Sequence, residues 1–359
     1  MSMANKRRAA ALLALGIGSA LLTFTAQAAE KKLYLFNWTQ YMDPDIISEF
    51  EQRYDVDVVQ SYFGSLAEMY AKLQAGGDSQ YDVIVPSNYF IPRLIQSGLV
   101  QKLDKSQIPN LDNVLARFQN PAYDPQAQYS VPYQWGTTGL VYNTETFPDA
   151  PQSWSLLFDA DVNPSQPFSM MTDGQVMMGA ACAWQGQGYD CTDRQAWVDA
   201  AKLLLKTKGR RNFTGFADGT PVLQQLERGV SQVGLTYNGD YLLNKSENPE
   251  AYEHLKFMLP KEGSELWVDA MMIPARAPHP ELAHKFINFI LDAKIGAQLS
   301  NYNRYSTPNK AAIPYLDEDL QGPPAQPTKE QMAELKFTPS LDGQKLQTFQ
   351  QIWNEVKSR

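Results

Sequence analysis

The sequence predicts an α/β protein built as two lobes, on three observations. Short apolar, β-rich runs alternate with segments of helical period, the pattern of a mixed, mostly parallel sheet flanked by helices. The 359 residues, at roughly 150 per domain, suffice for two units that each bury a core. Aromatic and acidic residues recur where the predicted strands end, and ligands of open α/β sheets settle beyond the carboxyl ends of the strands.

The N-terminal segment stands apart. Lys6, Arg7 and Arg8 precede an apolar run from Ala9 to Leu22, and Ala26-Gln27-Ala28 follows. This reads as a secretory signal peptide over residues 1–28, cleaved before Ala29; the run is short of the roughly 20 residues that span a bilayer. No Cys follows the cleavage point, which argues against a lipid anchor. Export implies an oxidising compartment, so Cys182 and Cys191, the only two cysteines, are expected to form a local disulfide.

After the cut, Leu33 to Phe36 reads as a strand and Asn37 to Tyr41 as the loop behind it. Asp43 and Pro44 start a helix, in which Ile46, Ile47, Phe50 and Tyr54 recur at helical spacing. Val56 to Val59 is a second strand, Leu66 to Leu73 a second helix, and Tyr81 to Ser87 a third strand running into a loop. The pattern resumes at Gly139 to Tyr142 and at Phe168 to Met171, followed by an amphipathic helix from Gln195 to Lys206 and a helical turn at Leu223 to Leu226. Val233 to Tyr237 is a strand ending at the turn Asn238-Gly239-Asp240. Met271 to Pro274 is another, followed by a helix from Pro280 to Leu291. Asp317 to Thr328, rich in Pro, Gly and charge, reads as an ordered surface loop.

Charge and motifs exclude several functions. Without the three basic residues of the signal segment, 28 basic side chains face 39 acidic ones, a net charge of -11. No basic stripe suits a nucleic acid, and an acidic surface favours a cationic ligand. The sequence holds no G-x-S-x-G elbow, phosphate loop, dinucleotide fingerprint or H-E-x-x-H. His254, His279 and His284 have no ligand spacing, so neither a metal nor a cofactor is expected. An enzyme reading would have to rest on a hidden carboxylate pair.

What remains is rings and lone carboxylates together: Trp38 and Tyr41, Ser87 and Tyr89, Tyr237 with Asp240, Trp267 with Asp269, and Tyr305. An ammonium over an aromatic face gains roughly 0.5 to 2 kcal/mol, rings cover methylenes, and a carboxylate pairs with a charged end. Singly, each has a plainer reading: Trp38 and Trp267 as core, Asp240 as turn chemistry, Asp269 and Ser87 as caps.

These residues resemble those of the periplasmic spermidine/putrescine-binding proteins of ABC transporters. The likeness runs from Leu33 to Arg359 through Phe36-Asn37-Trp38-Thr39-Gln40-Tyr41, Met69-Tyr70-Ala71-Lys72-Leu73, Tyr81-Asp82-Val83-Ile84-Val85-Pro86-Ser87, Val131-Pro132-Tyr133-Gln134-Trp135-Gly136, Leu266-Trp267-Val268-Asp269 and Ser306-Thr307-Pro308-Asn309. It implies a two-lobed periplasmic binding protein fold of type II, with crossing hinge strands and a cleft that closes on a polyamine. Lobe 1 would comprise residues 29–139 and 269–310, lobe 2 residues 140–268 and 311–359. The partner would be an inner-membrane permease and the protein a periplasmic monomer.

By the same resemblance Trp38, Tyr41, Ser87 and Tyr89 are contacts of the first lobe. Trp267 stacks beneath methylenes, Asp269 fixes an amine, and Tyr305 adds a ring. Asp240 holds a diamine end, with Tyr237 where spermidine-preferring members carry Trp. In Thr172-Asp173-Gly174-Gln175-Val176 the relatives place a Glu where this chain has Gln175, so either Asp173 supplies the charge or the far amine goes without it. Outside the polyamine reading stand another small amine or solute, a signalling module without transport, and an enzyme.

Overall fold

The computed structural model describes residues 31–358, so the expected signal segment and its cleavage point lie outside the described residues. Strand β1 is Lys32–Trp38, β2 Asp57–Phe63, β3 Val83–Ile84, β4 Ser130–Asn143 and β5 Phe168–Met170. β6 is Phe213–Phe216, β7 Val233–Tyr237, β8 Leu255–Met258, β9 Ser264–Met272 and β10 Leu335–Phe337. They form one mixed sheet in the order β2-β1-β3-β9-β4-β7-β5-β6, with β10 on β9 and β8 on β4.

The parallel set β2-β1-β3 opens the chain as the alternation predicts. Asp43 caps the helix Pro44–Tyr54 by accepting from Asp45 N, and Ile46, Ile47 and Phe50 bury its inner face. Phe50 meets Phe286 and Phe289 of the helix Pro280–Ile290 at ring distances of 5.0 and 5.3 Å, so the returning chain closes the same core.

Two long strands join the halves of the sheet. β4, about 45 Å at roughly 3.3 Å per residue, pairs antiparallel with β9 from Ser130 to Thr137, then with β7 from Thr138 and with β8 from Leu140. The partner exchange makes a two-lobed fold of type II architecture. Every residue of β9 and all of β4 except Asn143 is buried. Strands covered on both faces lose the polar alternation by which a strand is recognised, and Pro132 sits at a register shift inside β4. The expected strands at 139–142 and 271–274 are therefore only the ends of β4 and β9, and Trp267 and Asp269 lie inside a strand, not after one. Conversely, only Val83 and Ile84 of the expected strand 81–87 pair as one.

In the second half, the helices Gly174–Trp184, Arg194–Lys208 and Gly343–Ser358 share a core with β5 and β7. The last of these seals it: Phe349 packs on Trp197 at 5.3 Å, and Trp353 lies against Gly174. The expected disulfide Cys182–Cys191 is formed. Asn238, expected in a turn, instead begins the helix Asn238–Glu247. The expected surface loop 317–328 is pinned down: Leu320 and Ala325 are buried, and Ser306 Oγ donates to the Ala325 carbonyl at 2.5 Å. No described helix is long and apolar enough to cross a membrane.

Candidate functional site

Side chains on a strand alternate, so Glu265, Trp267 and Asp269 project from one face of β9. Opposite Trp267 and Asp269 stand Gly136 and Gln134 of β4, and Thr138, two residues on, pairs with Tyr237 of β7. Gly136 makes room for the indole, since a Cβ there would lie 2.4 Å from Trp267 Cζ2. Acid, ring and acid thus form a row along β9, one of the two long strands that join the halves.

Three segments dock onto the row. Behind β3, Ser87 bridges Asp269 and Asn88 Oδ1 accepts from Val268 N at 3.1 Å, which fixes Ser87 and Tyr89 beside β9. Asn238 Oδ1 accepts from Thr137 N at 2.9 Å, anchoring the helix that carries Asp240 in its first turn. Asn303 and Gln134 exchange amide hydrogen bonds of 2.8 and 2.6 Å, setting Tyr305 against the same face. The rings then meet edge to face: Tyr237 on Trp267 at 5.8 Å, Trp267 on Tyr305 at 5.1 Å, Tyr305 on Tyr41 at 5.6 Å. Trp38 ends β1 and packs on Phe63 at 4.5 Å, outside this chain of rings.

Four carboxylates face the rings. Asp269 accepts from Ser87 Oγ at 2.5 Å; burial pushes its carboxyl up to about 6, against the pull of Ser87 and nearby Tyr41. Tyr41 acts on Asp269 electrostatically, yet its hydroxyl has no hydrogen-bond partner of ordinary geometry. Asp240 accepts from Tyr305 Oη at 2.6 Å, and burial raises its carboxyl too. Asp173 caps the helix Gly174–Trp184 through Oδ1, accepting from Gln175 N and Val176 N; burial raises it and the two amides pull it down. Glu265, 4% exposed, accepts from Thr138 Oγ1 and Thr338 Oγ1, each at 2.5 Å, and burial pushes it up to about 7, aided by the charges of Asp173 and Asp269. Tyr89 feels Asp173, Glu265 and Asp269 together, and its hydroxyl is held well above its ordinary value, first by burial and then by those charges.

Among the described residues the ion pairs involve other acids, so none of these four has a Lys, Arg or His partner. A buried carboxylate without a counter-ion is expensive to ionise. The arrangement therefore favours a cation, while the rings favour its apolar stem. A surface hollow of about 590 Å³ lined by Pro164, Arg210, Arg211 and Val230 has neither acid nor ring and lies apart from this chemistry.

The family model described as bacterial extracellular solute-binding protein matches residues 45–328. The chain belongs to the bacterial extracellular solute-binding proteins. Its family and fold are those of a non-catalytic binding protein, and no group of metal-ligating side chains occurs among the described residues. This solute-binding protein is 32% identical to the putrescine/cadaverine-binding protein of Pseudomonas aeruginosa, over 94% of its own chain and 97% of that one. It is 31% identical to the spermidine/putrescine-binding periplasmic protein of Escherichia coli K12, over 85% and 86%. Its structure matches that of the spermidine/putrescine ABC transporter substrate-binding protein PotD from Streptococcus pneumoniae with a TM-score of 0.80 at 28% identity, covering 91% of this chain and 99% of that one.

Within the solute-binding protein, Gln175 is separated from the other candidates by its bonding: Nε2 donates to the Pro339 carbonyl at 2.9 Å and ties the helix to the C-terminal segment. Glu265 was not among the candidates. The signal was present, since Glu265, Trp267 and Asp269 keep a spacing of two, but the surrounding apolar run gave no sign of a strand spanning 264–272.

Proposed function

We propose that this protein is the periplasmic solute-binding component of an ABC importer, capturing a polyamine such as putrescine or spermidine and delivering it, as a monomer, to an inner-membrane permease. The observation that carries the reading is the pair Asp240 and Asp269. Each is a carboxylate without an internal cation, each is oriented by a hydroxyl, and the indole of Trp267 packs between the rings that border them. A diamine or triamine offers an ammonium to each acid and methylenes to the rings, which a sugar or an anion does not. The names of the relatives over almost the whole chain support the same class.

In this reading residues 29–139 and 269–310 form one lobe and 140–268 with 311–359 the other, turning about β4 and β9. Tyr41, Ser87 and Tyr89 contact the ligand from the first lobe, Tyr237 and Asp240 from the second. The test is calorimetric titration of the ligand-stripped mature protein with putrescine, cadaverine and spermidine. Binding of at least one at micromolar affinity or better supports the reading; no heat and no thermal shift with any of them overturns it.

A further inference from the structure

We propose that Glu265 is a third ammonium station of this cleft, the one by which the site takes a triamine as well as a diamine. The inference rests on the polyamine reading and specifies its ligand.

Placement comes first. Glu265 shares a face of β9 with Trp267 and Asp269, and at roughly 3.3 Å per residue the two acids are set about 13 Å apart along the strand with the indole midway. A linear amine lying along β9 would meet a carboxylate on each side of the ring. Asp240 and Asp269, each with its own hydroxyl donor, already suffice for the two ends of a diamine. A further carboxylate on the other side of Trp267 from Asp269 has use for a further ammonium.

The way Glu265 is held fits an acceptor. Each oxygen receives one hydroxyl, from Thr138 on β4 and from Thr338 beyond β10, and retains a second lone pair for an N–H. Its charged neighbours, Asp173 and Asp269, are also acids, so the protein sets no cation against it. On a strand whose every residue is buried, a purely structural position would be better filled by an apolar side chain. Gln175 is a neutral amide whose Nε2 is taken up by the Pro339 carbonyl, so negative charge beside it comes from acids such as Glu265 and Asp173.

A separate observation marks the row as a place where a molecule binds. Trp267 Nε1 is buried, on a residue 8% exposed, and has no hydrogen-bond partner, while Tyr41 Oη, on a residue 6% exposed, has Asp269 beside it. Folded proteins rarely leave such groups unpaired. The Tyr41 oxygen, beside Asp269, is free to accept an N–H.

The experiment titrates putrescine and spermidine into the wild-type protein, E265Q, Thr338→Val and D269N, with thermal melting to verify folding. E265Q should weaken spermidine by about tenfold or more and putrescine by less than about threefold. Thr338→Val keeps the charge but frees one oxygen, and should shift spermidine in the same direction by less; it decides the matter if E265Q does not fold. D269N should weaken both ligands. Equal losses for the two ligands in E265Q, no loss for either, or a wild-type protein that binds putrescine but not spermidine would each overturn the assignment. A wild-type protein that binds no amine overturns the polyamine reading itself, and is distinguished by failing before any variant is compared.

Discussion

Ser87 and Asp269, 182 positions apart in the chain, are joined twice: their backbones form an antiparallel bridge, and Ser87 Oγ donates to Asp269 Oδ1 at 2.5 Å. The loop behind β3 is thereby locked to β9 at the one carboxylate that also feels Tyr41. Replacing Asp269 by Asn keeps the shape and removes the charge, so diamine affinity should fall by about tenfold or more, since a hydrogen bond to a charged group contributes roughly 1.5 to 3 kcal/mol. The unliganded variant should melt no lower than wild type, because a buried charge has been removed. Calorimetry and a melting curve check both; unchanged affinity would sink the role of Asp269.

The raised carboxylates predict a pH dependence of opposite sign for the empty and the filled protein. Burial lifts Glu265 from 4.5 to about 7 and Asp269 from 3.8 to about 6, so between pH 4 and 7 the folded empty protein holds protons that the unfolded chain has released. Its stability should therefore fall as pH rises through that window. A bound cation favours the ionised acids, so binding near pH 6 should release protons and affinity should grow from pH 5 towards 8. Calorimetry in buffers of differing ionisation enthalpy measures the release. No proton release at any pH between 5 and 7 would refute the assignment of these acids to the ligand.

How far the sequence could be read follows from which residues face water. Helices with one wet face keep their period: Pro44–Tyr54 starts at its expected Asp43-Pro44 signal, and Arg194–Lys208 starts one residue before the expected Gln195. β4 and β9 are dry on both faces, so their period is hidden and their length is not visible residue by residue. Of the candidate positions, Trp38 and Tyr237 close β1 and β7 and Asp240 follows β7, so position alone singles them out, though Trp38 packs on Phe63 apart from the chain of rings. Trp267 and Asp269 stand out as a ring with a lone acid and by resemblance, although the strand end expected there lies inside β9; Glu265 stands out by neither. Its partners Thr138 and Thr338 are 200 residues apart, and only the pairing of β10 with β9 brings the second of them near.

The disulfide should matter for stability and not for the ligand. Cys182 lies near the C-terminal end of the helix Gly174–Trp184, roughly 13 Å along the axis from the Asp173 cap at 1.5 Å per residue. Closing this short loop restricts the unfolded chain, so replacing both cysteines by Ser should lower stability by about 2 to 3 kcal/mol. Amine affinity should change by less than about threefold. Chemical denaturation and calorimetry separate the two effects, and a large affinity loss in a folded variant would show that the helix end communicates with its cap.

Gly239 offers the sharpest steric test. A Cβ at this position would lie 2.1 Å from Tyr305 Cδ1, so Gly239→Ala forces the ring out of its seat. The displaced ring would lose its hydrogen bond to Asp240 and its edge contact with Trp267, two features of the cleft at once. Stability should fall by about 1 to 3 kcal/mol, as overpacked sites do, and amine affinity by about tenfold or more. The double variant Gly239→Ala with Tyr305→Ala removes the clash and should regain most of the stability without regaining affinity. Additive losses in that cycle would mean that the two residues act independently and that Tyr305 does not hold Asp240 for the ligand.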